Sequence, residues 1–155
     1  MWTPDVDWRR VLPAAIKANA VTYLNPPIAN FGARGIRKTA KLLPGWSGKY
    51  AAANLSRVGM LMERGGTGGG LFRRMYGDFL REAALLLTDE RLLFVAERFD
   101  AAGLLWTQVS ALLESIPDEG AAPLPAASRL LAQVADIEED AVRELSRLAD
   151  SPAGG

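Results

Sequence analysis

Five of the six residues from 65 to 70 are glycine, in the run Glu63-Arg64-Gly65-Gly66-Thr67-Gly68-Gly69-Gly70-Leu71-Phe72-Arg73-Arg74. Glycine permits positive φ and close backbone approach, but each one costs ordering entropy, and a plain connector does not need five. Successive amides that run into a helix N-terminus form a concavity suited to a carboxylate or phosphate. The run is neither of the familiar nucleotide loops, because no Lys-Ser/Thr follows the glycines and no strand precedes them. At ~100° per residue the apolar face of the following helix centres near Phe72 and Tyr76, with Arg73 at its border and Arg74 nearly opposite. The predicted anion site is therefore Gly66, Thr67, Gly68, Gly69, Gly70 and Arg73, with Glu63 added as a carboxylate able to orient an amine. In the alternative, Gly65 or Gly66 caps the preceding helix, the rest is a flexible turn, and Arg73 snorkels.

A second candidate is electrostatic. The 155 residues carry 18 Lys+Arg and 18 Asp+Glu. Residues 1–80 nevertheless hold 12 basic and 4 acidic residues, a net of +8, against 6 and 14 in the remainder, a net of −8. Arg34, Arg37, Lys38 and Lys41 fall at i, i+3, i+4 and i+7, with Ile36, Ala40 and Leu43 on the other side, which makes a basic stripe on one helix. The stripe could dock an anionic partner, or be a solvated face balanced by Asp136, Glu139, Asp140 and Glu144 in the last helix. An overall charge of zero argues against nucleic acid.

Missing side chains bound the chemistry. There is no cysteine and no histidine, so thiolate nucleophiles, imidazole bases and thiolate or imidazole metal sites are excluded. Catalysis would fall to carboxylates, Lys, Ser/Thr or Tyr. A hydrolase using Glu63 and Asp78 has no supporting spacing. No cofactor and no metal are expected. No apolar run approaches the 18 residues of a membrane span, and the N-terminus lacks a basic leader, so a cytoplasmic protein without a membrane partner is expected.

Helices must position these residues. Leu92, Val95, Phe99, Ala102, Trp106, Val109, Leu113 and Ile116 step by three and four along one long helix. Phe72, Met75, Tyr76, Phe79, Ala83, Leu86 and Leu87 form the stripe before it, with Thr88 or Asp89 able to cap the junction. After a linker from Pro117 to Pro125, Leu130, Val134, Ile137, Ala141, Leu145 and Leu148 repeat the spacing. Earlier, helices are predicted over about 7–24 with Pro13 kinking or resetting it, over 30–43 before Pro44-Gly45, and over 47–64 before Gly65-Gly66. No segment alternates with the period of a strand. The expected fold is all-α, a single-domain bundle of about six helices over 1–150 with the glycine-rich loop between the third and fourth, a disordered tail at 151–155, and Trp106, Phe99, Phe79 and Leu113 in one core.

The run Gly66-Thr67-Gly68-Gly69-Gly70-Leu71-Phe72-Arg73-Arg74-Met75-Tyr76, followed by Phe79-Leu80 and Glu82-Ala83-Ala84, resembles the central motif of the C-terminal helical domain, of unknown function, in proteins related to the butirosin-biosynthesis acyltransferase. The likeness extends over most of the chain and includes Gly35-Ile36, Trp46 and Trp106. In that family a papain-like N-terminal portion carries Cys and His and transfers an aminoacyl group from a carrier protein to an amine. The present chain resembles only the C-terminal part and holds neither residue. The resemblance thus implies a non-catalytic module that assists binding of an acyl donor, acceptor or carrier protein. Implied partners are a Cys/His catalytic domain or an acidic carrier protein, with a small anionic ligand at the loop. A stand-alone small-molecule-binding or oligomeric scaffold, homo-oligomers included, is the alternative.

Overall fold

A computed structural model describes residues 6–65, 68–117 and 123–151. It is an all-α bundle of six helices, α1 Trp8–Leu24, α2 Gly32–Leu42, α3 Ala52–Arg64, α4 Gly70–Leu87, α5 Arg91–Glu114 and α6 Leu124–Asp150. A 3-10 segment, Leu43–Gly48, joins α2 to α3. There is no strand among the described residues. The central pair is α5 and α6. Helices α3 and α4 flank α5, while α1 and α2 flank α6. No helix among the described residues is long and apolar enough to cross a membrane.

Local chemistry explains most boundaries. Pro13 lies inside α1 without ending it; the helix is neither reset nor terminated there, and Leu12, Ile16 and Ala20 form its buried face. The predicted start of the third helix at Ser47 is corrected to Ala52, because the chain after Pro44 tightens into the 3-10 segment. Thr88 closes α4 in the left-handed conformation, φ 56°. Its amide donates to the Leu85 carbonyl and that of Asp89 donates to Ala84, the paired pattern of a Schellman ending. Capping of α5 falls to Asp89, whose Oδ1 accepts the Arg91 amide at 3.1 Å.

The same carboxylate takes a two-pronged bond from the Arg91 guanidinium, both contacts at 2.7 Å. This bond holds Asp89 below the usual carboxylate range, against the opposing push of burial. A lowered folded value means that the contribution is complete above the ordinary Asp range and is lost as pH falls through the folded value. Chemical denaturation at pH 7 and pH 3 should therefore show a smaller acid-induced loss of stability in Asp89→Asn than in the parent. Equal losses would remove Asp89 from the acid response.

Two apolar clusters make up the interior, rather than the one core expected. Phe99 and Leu80 belong to the first, with Phe79 against it, together with residues of α1, the first half of α5 and the second half of α6. Leu113 belongs to the second, with Trp106 against it, and is joined there by α2, Leu55 of α3 and the first half of α6. This membership follows from an antiparallel α5 and α6. Each long helix spans both clusters, and the seam between them falls at the middle of each.

Candidate functional site

At that seam sits a buried carboxylate. Glu138, in the middle of α6, is 1% exposed. An isolated charge there would cost several kcal/mol, so its partners decide whether the fold tolerates it. Four contacts surround it. Arg73 Nε of α4 donates to Oε1 at 2.8 Å and Nη2 to Oε2 at 3.2 Å. Trp106 Nε1 of α5 donates to Oε1 at 2.8 Å, and the Tyr23 hydroxyl of α1 donates to Oε2 at 2.7 Å. Both oxygens are therefore doubly satisfied. The Arg73 guanidinium also lies 4.8 Å from the centre of the Trp106 ring, a cation–π contact. Burial, and then the Glu138 charge and its hydrogen bond, push the Tyr23 hydroxyl well above the usual phenol range. Tyr23 is thus a donor locked in its neutral form, not a base.

Arg73 occupies this place because of its register on α4. The buried residues Gly77, Leu80 and Ala84 stand four, seven and eleven positions beyond it, which puts all four on one face at 3.6 residues per turn. The predicted face centred on Phe72 and Tyr76 is corrected accordingly: Phe72 and Met75 are exposed, and Arg73 leads the buried row. Its side chain is 21% exposed. A third contact runs from Nη1 to the Gly68 carbonyl, tying the arginine to the glycine loop. Arg74 lies to one side, 3.7 Å from Glu63 and 3.3 Å from the Thr107 hydroxyl.

The loop glycines serve close packing and capping. The Gly70 amide donates to Glu63 Oε1 at 2.6 Å, and the Gly69 amide to the Met62 carbonyl at 3.0 Å. Glu63 thus supplies the negative charge that the N-terminus of α4 attracts. A Cβ on Gly70 would stand 2.4 Å from the Gly103 carbonyl of α5, so only glycine lets the two helices approach there. Gly68, at φ +103°, turns the chain into the helix. Gly66 and Thr67, also expected in the site, lie outside the described residues.

Between this loop and the α1–α2 connection lies a cavity of about 390 Å3. Gly68, Gly69, Asn30, Thr39, Arg73 and Trp106 are among its lining residues. Arg73 and Tyr23 also form the wall of a second cavity of about 310 Å3, bounded by α1, α4, α5 and α6. Among the described residues no group of His, Cys, Asp or Glu is arranged to hold a metal ion.

The comparison that places the chain among known proteins is a family model. The model of DUF4872, a domain of unknown function, matches residues 1–145. The chain belongs to this family. No curated protein and no solved structure matches it. The DUF4872 match therefore spans the loop, Arg73 and all four members of the seam network.

The basic stripe of this DUF4872 chain is divided in its use. Arg37 pairs with Asp136 at 2.7 Å and with Glu139 across the gap to α6. The Arg37 bond, with a second from Arg143, holds Glu139 below the ordinary carboxylate range. Lys38 donates to the Asn30 side chain at 2.9 Å. Arg34 and Lys41 are exposed and make no ion pair among the described residues. The stripe thus includes one internal clamp and two outward charges.

Glu138 and Tyr23 were not among the residues the sequence singled out. A signal for Glu138 was present: Ala127, Leu131, Val134, Ala141, Leu145 and Leu148 are buried with alternating steps of four and three, and position 138 fills the gap in that row. A charged residue at an apolar heptad position requires a buried partner. Tyr23 carried no comparable signal, since a tyrosine near a helix end is unremarkable without knowing what faces it.

Proposed function

We propose that this chain is a non-catalytic helical binding module, similar to the C-terminal domain of natural-product acyltransferases, that helps to hold an acyl donor, an acceptor or a carrier protein. The observation that carries this reading is the cavity of about 390 Å3 beside the glycine loop, whose wall holds Arg73, Trp106 and Tyr23 but no nucleophile with a base. Its size lies in the range of ordinary ligand pockets. Both Glu138 oxygens are occupied and Tyr23 is held neutral, so the seam supplies a preset polar wall, not an acid–base pair. A small anionic ligand at the loop would have to compete with Glu63 for the Gly70 amide and with Glu138 for Arg73. Anionic recognition is therefore better assigned to the surface, where Arg34 and Lys41 point outward and an acidic carrier protein could dock.

The test uses the full chain with an acyl carrier protein as probe, acylated and free. Binding of the acylated form without accelerated thioester cleavage is the expected result. Cleavage by this chain alone, or no binding of either form at millimolar concentration, would overturn the reading. Reversing Arg34 and Lys41 together to Glu should slow association about tenfold at low salt and flatten its salt dependence, with an unchanged melting curve. Arg37→Glu should instead lower thermal stability, because it breaks the clamp to α6.

The second reading, a stand-alone small-molecule-binding or oligomeric scaffold whose glycine loop is only a junction, is favoured by one specific observation. The Gly70 contact to Gly103 and the Glu63 cap use two of the loop's features for packing alone.

A further inference from the structure

The second cavity, about 310 Å3 between α1, α4, α5 and α6, differs in character from the first. Its walls include four aromatic rings, Tyr23, Phe72, Tyr76 and Phe99, with Val142 and Leu145 from α6. Tyr76 and Phe99 meet edge to face with their centres 4.8 Å apart. The polar side chains among its lining residues are Asn19 and Tyr23 of α1, Tyr76 of α4 and the Arg73–Glu138 pair.

The charge state of that pair selects the occupant. Each Glu138 oxygen already accepts two hydrogen bonds, one of them from Arg73. An anion entering here would have to draw Arg73 from a buried carboxylate, and a cation would have to displace Arg73 from it. Either exchange leaves one buried charge unpaired, which is far costlier than accommodating a neutral group. Aromatic walls favour an aryl guest through offset and edge-to-face contacts. The volume is about twice the ~150 Å3 at which a dry apolar cavity holds a benzene ring. Asn19, which also hydrogen-bonds with Tyr76, keeps further amide valences to offer an amide or hydroxyl of the guest.

The geometry points to a binding site for an uncharged aryl group bearing an amide or hydroxyl, with the two-ring size of a naphthalene as the upper fit. The site is separate from the cavity at the glycine loop and does not depend on the acyltransfer reading. Tyr23 and Arg73 form the shared wall.

The probes are 2-naphthamide and 2-naphthoate, which match in shape and differ in charge at neutral pH. Binding to the full chain is read by saturation-transfer NMR and by methyl shifts of Val142 and Leu145. The amide is expected to bind with a sub-millimolar Kd and the naphthoate at least tenfold more weakly. Val142→Phe, which fills the cavity, should weaken amide binding at least tenfold. Equal affinity for the two probes, no amide binding at millimolar concentration, or unchanged binding to a folded Val142→Phe variant would each overturn the proposal. If circular dichroism shows that Val142→Phe does not fold, Phe72→Ser decides, since Phe72 is 45% exposed and its loss spares the interior. A threefold or greater loss of affinity in that variant is expected, and no change overturns the assignment. A concentration-dependent dimer that the amide dissociates would identify the occupant as a second copy of the chain and likewise refute the small-molecule site.

Discussion

Replacing Glu138 with alanine should lower the free energy of unfolding by about 3–5 kcal/mol, the usual effect of removing one member of a buried ion pair. The loss has separate sources. Arg73 would be left with its guanidinium largely enclosed, at 21% exposure, and without its carboxylate. The Trp106 indole and the Tyr23 hydroxyl would each lose an acceptor. Glu138→Gln should cost less, because a carboxamide oxygen still accepts while the charge is lost. The instructive comparison is Arg73→Met combined with Glu138→Leu. Buried pairs exchanged for apolar residues of similar volume are often close to neutral, so the double variant should be more stable than Glu138→Ala even though Tyr23 and Trp106 remain unpaired. Urea denaturation of the three variants checks this order. A Glu138→Ala cost under about 1 kcal/mol would show that water reaches the carboxylate and that the seam is not closed.

This expectation also alters how Arg73 is to be tested. Arg73→Ala removes any contact to a ligand, but it simultaneously strands Glu138, so weakened binding by that variant would not separate recognition from stability. The two arginines in sequence therefore differ for a reason beyond their distance from the loop. Arg74 is 41% exposed and makes its contacts with Glu63 near the end of α3 and with Thr107 of α5, and its replacement should leave the melting curve nearly unchanged.

Periodicity made the helices legible because the long helices α5 and α6 each bury a row of residues stepping by three and four, and packing dominates such rows. It read α4 less well. Phe72 and Met75 are large and apolar, so they pulled the inferred face toward themselves, whereas the face that packs is built on Gly77, Leu80, Ala83 and Ala84. Small residues carry little weight in a hydrophobicity pattern, yet they let helices approach closely, as Gly77 does beside Asp100 and Gly70 beside Gly103. Arg73 was singled out from its position near the glycines, and the structure does tie it to Gly68. Its main partner was beyond reach, since Arg73 and Glu138 are 65 residues apart in the chain. Long-range pairing of this kind depends on the way the helices pack, which local pattern does not encode. The split into two clusters has the same origin: each stripe on α5 and α6 is continuous in sequence and is divided only by what packs against each half.

Trp106 stands at that division, and its replacement separates packing from hydrogen bonding. Trp106→Ala should cost about 3–5 kcal/mol, at the level of large-to-small changes of buried aromatics, although the ring itself is only partly enclosed. The added loss comes from Glu138, which keeps Arg73 and Tyr23 but gives up one donor, and from Arg73, which gives up the ring beneath it. Trp106→Phe preserves a ring for the second cluster and for the guanidinium while deleting the indole N–H. A hydrogen bond to a charged group contributes ~1.5–3 kcal/mol, so the phenylalanine variant should fall within that span and clearly below the alanine variant. Combining Trp106→Phe with Glu138→Leu, which removes the acceptor outright, closes the cycle: if the indole acts through the carboxylate, the two losses will sum to more than the double variant loses. Strict additivity, measured by denaturant unfolding, would show that Trp106 stabilises the fold by its bulk alone and that the hydrogen bond at the seam carries no net weight.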